Sequence, residues 1–294
     1  MNIGPARSAR LSDLQTSNLQ TIKKVFIYLD MKRILPYTLW ILILLAGCSR
    51  QPDPVIPGKV IILMYHRITA GEPSNDYERS VADFEDDLAW LHDKNIRVIN
   101  FAELGKIVSG EEELTTDAAI ITFDDGDHSW YTLAMPLLKQ YRMKATFFLW
   151  TSKMDMNSFL TWEEVELISH YMDENGETCF EFGSHTASHQ YLLTMKSALG
   201  AGAAFDAWLD EELGGSKRLI DSHIGGSIKA MSLPFGNGAG DADIIAAAKR
   251  NGYSYIRTSE WDVTGTPGTD LYRLPGLPIL DDTSRDLIGT YLGY

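Results

Sequence analysis

Ala118-Ala119-Ile120-Ile121-Thr122-Phe123-Asp124-Asp125-Gly126 is the stretch on which the fold turns. Its apolar run, Ala118 to Phe123, has the continuous hydrophobicity of a strand buried on both faces. It ends in two carboxylates and a glycine able to make a tight turn. A second apolar run, Cys179 to Gly183, leads into His185-Thr186-Ala187-Ser188-His189. Both therefore place polar groups at the C-terminal end of a strand, where α/β sheets and barrels carry their chemistry. An Asp-Asp-Gly run alone is a common exposed turn. Two imidazoles at i and i+4 share a face if the segment enters a helical turn, and with one carboxylate they form a recurring ligand set for a catalytic divalent metal. The second carboxylate stays free to move protons, which points to a hydrolase.

Working outward, apolar strands alternate with amphipathic helices from Lys59 onward. Strands are expected at Val60–Tyr65, 96–100, 118–124, 144–149, 179–183, 227–234 and 253–258, with a last extended segment over 272–280. Helices are expected over 81–94 with Ser80 as N-cap, 101–108 ended by Gly110, 131–141, 161–172, 241–251, and a long helix within 198–222 interrupted near Gly214-Gly215. This alternation predicts an α/β fold, a distorted (β/α) barrel of seven or eight parallel strands. Cys179, in an apolar strand pattern, is expected to be a small buried core residue.

The chain has 294 residues, 45% hydrophobic and 22% charged, with a formal net charge of -14. No basic stripe exists to meet phosphates, which excludes a nucleic-acid binder. Residues 1–30 lack a clean pattern and are read as a mis-assigned N-terminal extension, Met31 being the better start. Over 31–48, Met31-Lys32-Arg33, the apolar run Ile34 to Ala46 and Leu45-Ala46-Gly47-Cys48 have the form of an export signal. That ending resembles a bacterial lipobox, which implies lipidation of Cys48 and a membrane partner through that anchor. Ser49 after it resembles sorting to the outer membrane, so the periplasmic face of that membrane is the expected location. Residues 49–58, with three prolines from Pro52 to Pro57, read as a tether, and 59–294 as the catalytic domain.

Four motifs in order resemble the polysaccharide deacetylases of carbohydrate esterase family four, the NodB-homology group. They are Thr122-Phe123-Asp124-Asp125-Gly126, Tyr141-x-x-Lys144-Ala145-Thr146-Phe147-Phe148, His185-Thr186-x-x-His189 and Ser232-Leu233-Pro234-Phe235-Gly236. The resemblance implies that Asp125, His185 and His189 hold the metal while Asp124 is the general base. The metal is expected to be zinc, with nickel, cobalt, iron and manganese as alternatives. His66, in Leu63-Met64-Tyr65-His66-Arg67, resembles the acid of the poly-N-acetylglucosamine deacetylase branch, in which the catalytic histidine lies N-terminally.

Removal of N-acetyl groups from a surface or exported polysaccharide, releasing acetate, is the implied activity, with export machinery as a further partner. An O-acetyl esterase, a peptidoglycan deacetylase and a noncatalytic sugar-binding lipoprotein are the other readings. Trp130, Tyr131, Trp150, Pro234 and Phe235 are candidate sugar-contacting residues. The chain departs from the family where many members carry a third-motif arginine that orients the base. Ser232 occupies that region, and Arg67 or Arg273 are the candidate substitutes. Trp261-Asp262 is the candidate for tuning His66.

Overall fold

The computed structural model describes residues 58–294. The N-terminal extension, the export signal, the lipobox Cys48 and nearly all of the tether therefore lie outside the described residues. Strand β1 (Val60–Tyr65) is followed by a short parallel pair, β2 (Arg67–Thr69) and β3 (Glu78–Ser80), where no strand is expected. Helix α1 (Val81–Asp93) starts at Ser80, whose hydroxyl accepts from the Asp83 amide. Next come β4 (Arg97–Val98) and α2 (Phe101–Ser109), the latter opened by an Asn100/Glu103 capping box and closed by Gly110 at φ 79°.

Strand β5 (Ala118–Asp125) leads through a π-helical turn over Trp130–Ala134 into α3 (Met135–Gln140) and β6 (Ala145–Leu149). Helix α4 (Trp162–Ser169) and β7 (Phe180–Ser184) follow. The long helix expected within 198–222 is several pieces: α5 (Leu192–Leu199), α6 (Ala203–Leu209), a π-helical stretch Asp210–Gly215, and α7 (Ser216–Ile224). The chain breaks at Gly200 and Gly202, both at positive φ, and the interruption expected near Gly214-Gly215 is the π-helical stretch that ends there. The chain closes with β8 (Ala230–Ser232), α8 (Ala242–Arg250), β9 (Tyr255–Arg257), β10 (Leu277–Pro278) and α9 (Arg285–Leu292).

The strands form one eight-stranded sheet in the order β10-β1-β5-β6-β7-β8-β9, with β4 also paired to β5, and every ladder is parallel. Leu274, just before β10, makes a parallel bridge to Arg257 on the far edge of β9. The sheet thus curls into an incomplete barrel, as the alternation predicts.

Side chains alternate across each strand. Ile61, Leu63, Tyr65, Ile121, Phe123 and Phe147 face the surrounding helices in one core cluster. Val60, Ile62, Ala118, Ile120 and Phe148 face the inside, packed against Phe101, Leu104 and Ile107 of α2. Asp124 has the parity of Ala118 and Ile120, so the strand itself turns that carboxylate inward. Cys179 sits half-buried just ahead of β7 rather than sealed in the core.

Gly183 lies on the inner face of β7, two residues before His185. A Cβ there would lie 2.4 Å from Phe148 Cδ1 and 2.9 Å from the Ala230 carbonyl oxygen. Gly183→Ala is expected to lower folding stability by about 1–3 kcal/mol, the usual cost of overpacking. Denaturant unfolding checks this, and an unchanged midpoint and slope would contradict it.

Candidate metal centre and active-site cleft

Strand β5 delivers Asp124 and Asp125 differently. Asp124 still has strand geometry and is 2% exposed, whereas Asp125 has φ 88°. This left-handed residue, unusual for a side chain with a Cβ, turns the second carboxylate out of the strand alternation toward the histidines. At β7 the ladder continues one step further, His185 N–H donating to the Leu149 carbonyl at 2.8 Å. The segment that follows does not enter the helical turn that would put both imidazoles on one face by i, i+4 spacing. Thr186 and His189 adopt φ 66° and 57°, and this folded-back loop brings the two imidazoles together.

His185 Nε2 and His189 Nε2 lie 3.1 Å apart, and Asp125 Oδ1 lies 3.4 Å from each. Asp125 Oδ1 is buried with no hydrogen-bond partner. Metal–ligand bonds of about 2.0–2.1 Å in a tetrahedron put ligand atoms about 3.3–3.4 Å apart, so the spacing suits a cation such as zinc. The tautomer suits it too. His185 Nδ1 faces the Ser232 carbonyl at 3.2 Å and Ser232 Oγ at 2.5 Å. A carbonyl can only accept, so Nδ1 carries the proton and Nε2 keeps a lone pair toward the other two atoms.

Asp124 stands beside this trio, its Oδ2 3.8 Å from His185 Nε2. Ser232 Oγ donates to Asp124 Oδ1 at 3.3 Å, and Arg257 Nη2 is paired with Oδ2. Arg257 is 1% exposed. Burial opposes ionisation of Asp124, but the Arg257 guanidinium and then His185 outweigh it and hold the carboxyl below its ordinary range. Burial opposes ionisation of Asp125 as well, but the adjacent His189 and His185 imidazoles outweigh it and hold the carboxyl well below that range.

Arg257 is the residue that motif reading missed. Arg67 is half-exposed and paired with Glu78 and Asp127, and Arg273 is paired with Glu260 on the surface, so neither serves Asp124. The available signal was an arginine inside the buried run Tyr255-Ile256-Arg257, where a charge needs a partner.

His66, directly after β1, lines the same cleft. Its Nδ1 is buried without a partner, its ring packs edge-on against Tyr77 with centroids 4.9 Å apart, and its carbonyl accepts from Trp130 Nε1 at 2.5 Å. Burial lowers its pKa, against the pull of Asp124 and Asp125. Asp262 does not tune it: that carboxylate accepts from the Val263 amide at its own loop. The wall around His66 is pinned from behind. Tyr65 Oη donates to Asp87, Arg79 forks onto the same carboxylate, and Arg79 Nη1 donates to the Leu280 and Asp281 carbonyls at 3.1 Å.

The cleft has a volume of about 540 Å³ and is walled by Tyr77, Leu233, Phe235, Trp261 and Leu280. Of the five candidate sugar-contacting residues, only Phe235 lines it. Trp130 is fully buried in the core and Pro234 is buried as well. Tyr131 lies outside the cleft wall, and Trp150 stacks on the His189 ring at 4.5 Å. The exposed aromatics Tyr77 and Trp261 stand there instead.

Burial, against the opposing charges of Asp124 and Asp125, depresses the His185 pKa to about 4. In metal-free protein its ring is therefore expected to stay neutral from pH 7 down to about that value. Imidazole nitrogen NMR measures this directly, and a titration near the ordinary value of about 6.5 would contradict it.

The polysaccharide deacetylase family profile matches residues 111–256. A putative polysaccharide deacetylase of Bacillus subtilis, YxkH, is 28% identical over 240 residues, covering 80% of this chain and 77% of that protein. The poly-β-1,6-N-acetyl-D-glucosamine N-deacetylase of Staphylococcus epidermidis is 27% identical over 250 residues, covering 80% of this chain and 83% of that protein. In fold, the chain is similar to the Streptococcus pyogenes deacetylase PplD, solved with acetate, with a TM-score of 0.68 and 22% identity over 81% of this chain and 99% of that one. IcaB from Ammonifex degensii gives a TM-score of 0.62 with 21% identity, over 80% and 96% of the two chains. Motif order, parallel sheet and family profile agree: the chain carries a polysaccharide deacetylase domain and belongs to that family of enzymes.

Proposed function

We propose that the chain is a metal-dependent hydrolase that removes N-acetyl groups from amino sugars of a surface or exported polysaccharide, of the poly-N-acetylglucosamine type. The observation that carries this is the convergence of Asp125 Oδ1, His185 Nε2 and His189 Nε2 at 3.1–3.4 Å beside a second, arginine-clamped carboxylate. The S. epidermidis relative, named for that polymer, supports the substrate class.

A divalent ion held by Asp125, His185 and His189, zinc by the donor set, would supply a polarised acetyl carbonyl and water of lowered pKa. The chain's own residues do the rest. Asp124, kept ionised by Arg257, takes the proton of the attacking water. Its second oxygen is held by Ser232 Oγ, so the base and the ligand His185 are oriented by one side chain. Amide cleavage also needs a proton on the departing nitrogen. His66 opens on the same cleft, and burial makes its imidazolium release a proton readily. Tyr77 behind it and Phe235 and Trp261 across the opening offer apolar faces to a pyranose ring.

Export and a lipid anchor at Cys48, facing the periplasm from the outer membrane, complete the proposal, together with contact with an exopolysaccharide export system. Cys48→Ser is expected to move the protein from the membrane to the soluble fraction, and an unchanged distribution would contradict the anchor.

Asp124→Asn is expected to keep its metal by elemental analysis while acetate release from an N-acetylglucosamine oligomer falls roughly 100-fold or more. His66→Ala should lose far more activity on amide than on ester substrates, because an alkoxide leaves with less help than an amine. Metal-loaded wild-type protein that released no acetate from any N-acetylated glycan would overturn the proposal.

A further inference from the structure

Behind the histidine loop lies a carboxylate that the proposed chemistry does not use. Glu212 is 4% exposed and makes no ion pair among the described residues. Both its oxygens are spent on one residue of the loop: Oε1 accepts from Ser188 N–H at 2.7 Å and Oε2 from Ser188 Oγ at 2.8 Å. Its own carbonyl accepts from Ala187 N–H at 3.1 Å. A buried acid with no cation is costly unless its acceptor sites are filled, and here a single strand-to-loop segment fills them.

The local backbone explains how Glu212 reaches the loop. It sits in the π-helical stretch Asp210–Gly215 between α6 and α7. Such widenings shift the hydrogen-bond ladder and release carbonyls from it, and they are frequent at functional sites. The Glu212 carbonyl goes to the loop, and the Leu213 carbonyl accepts from Tyr253 Oη at 2.8 Å. Gly214 lets α8 approach, since a Cβ there would lie 2.1 Å from Asn251 Oδ1.

The loop needs such a brace. Thr186 and His189 are both left-handed, at φ 66° and 57°, a conformation disfavoured by a Cβ and most of all by a β-branched side chain. Relaxing either would change the 3.1 Å separation of the two Nε2 atoms. The N–H groups between them are tied down at Thr186 by Ser184 Oγ, at Ala187 and Ser188 by Glu212, and at His189 by Thr186 Oγ1. Of the anchors on these N–H groups, Glu212 is the one from outside the strand and loop; on the carbonyl side, Thr151 and Ser152 N–H donate to Thr186 and Ala187 at 3.2 and 3.1 Å.

We infer that Glu212 is a positioning residue for the metal centre: by clamping Ala187 and Ser188 it holds the strained loop in which His185 and His189 share a ligand separation. The inference rests on the metal-ligand reading of those histidines.

The test is zinc titration of the full chain, stripped by chelator, with the metal-free fold followed by circular dichroism and thermal melting. Glu212→Ala is expected to weaken zinc binding on the order of tenfold to a hundredfold, the usual range for groups that hold metal ligands in place. Glu212→Gln, whose amide oxygen still accepts from Ser188 N–H and whose NH₂ reaches Ser188 Oγ, should recover most of it. If Glu212→Ala does not fold, Ser188→Ala, which removes only the hydroxyl contact, should still weaken zinc severalfold.

A folded Glu212→Ala, or failing that Ser188→Ala, that binds zinc within twofold of wild type overturns the inference and leaves the metal reading standing. Folded wild-type protein binding zinc no better than Asp125→Ala overturns the metal reading, and the inference with it.

Discussion

A carboxylate buried as deeply as Asp124 is costly to keep ionised without a charge partner or filled acceptor sites, and Arg257 is its charge partner. The pair also constrains the whole sheet. Asp124 is the penultimate residue of β5 and Arg257 ends β9, with β6, β7 and β8 between them. Four strand spacings in a flat sheet would separate them by about 19 Å. Contact requires the sheet to curl until the two ends face each other, and the bridge from β9 to Leu274 is part of the same closure. The mouth thus formed holds both the pair and the cleft.

From that constraint the rest of the centre follows. Curling brings β7 and β8 alongside Asp124, so that Ser232 meets both His185 and the carboxylate. The turn at Asp125 and the folded-back histidine loop then set three lone-pair atoms at one point. Each of these turns carries positive φ at a residue with a Cβ. Strain of this kind gathers where surrounding contacts over-determine the backbone. For the histidine loop these contacts include Leu149 in β6, Thr151 and Ser152 just after it, Ser184 in β7 and Glu212 in the π-helical stretch.

Much of this was legible from residue order. Continuous apolar strands ending in Asp124-Asp125 and before His185 announced a parallel sheet with polar groups at its C-terminal edge, and these residues do lie together. What was not legible depended on distance in space. Ser232 in place of an arginine showed a missing cation, but only the curl of the sheet reveals that it comes from β9 rather than from Arg67 or Arg273. Aromatic residues mislead for a similar reason. Trp130 is a candidate sugar platform in sequence and Tyr77 is not, yet Trp130 fills the core and Tyr77 stands at the cleft. The i, i+4 histidines suggested a helical turn because spacing carries no record of left-handed residues. Glu212 was invisible because its role depends on a π-helical widening that has no clear sequence signal.

The most direct measurement of the metal centre is X-ray absorption at the zinc edge on metal-loaded protein. Two imidazole ligands and an oxygen-dominated remainder at about 2.0–2.1 Å, with one imidazole lost in His189→Ala, is the predicted result. A spectrum with sulfur in the first coordination sphere, or with imidazole scattering unchanged in that variant, would contradict it.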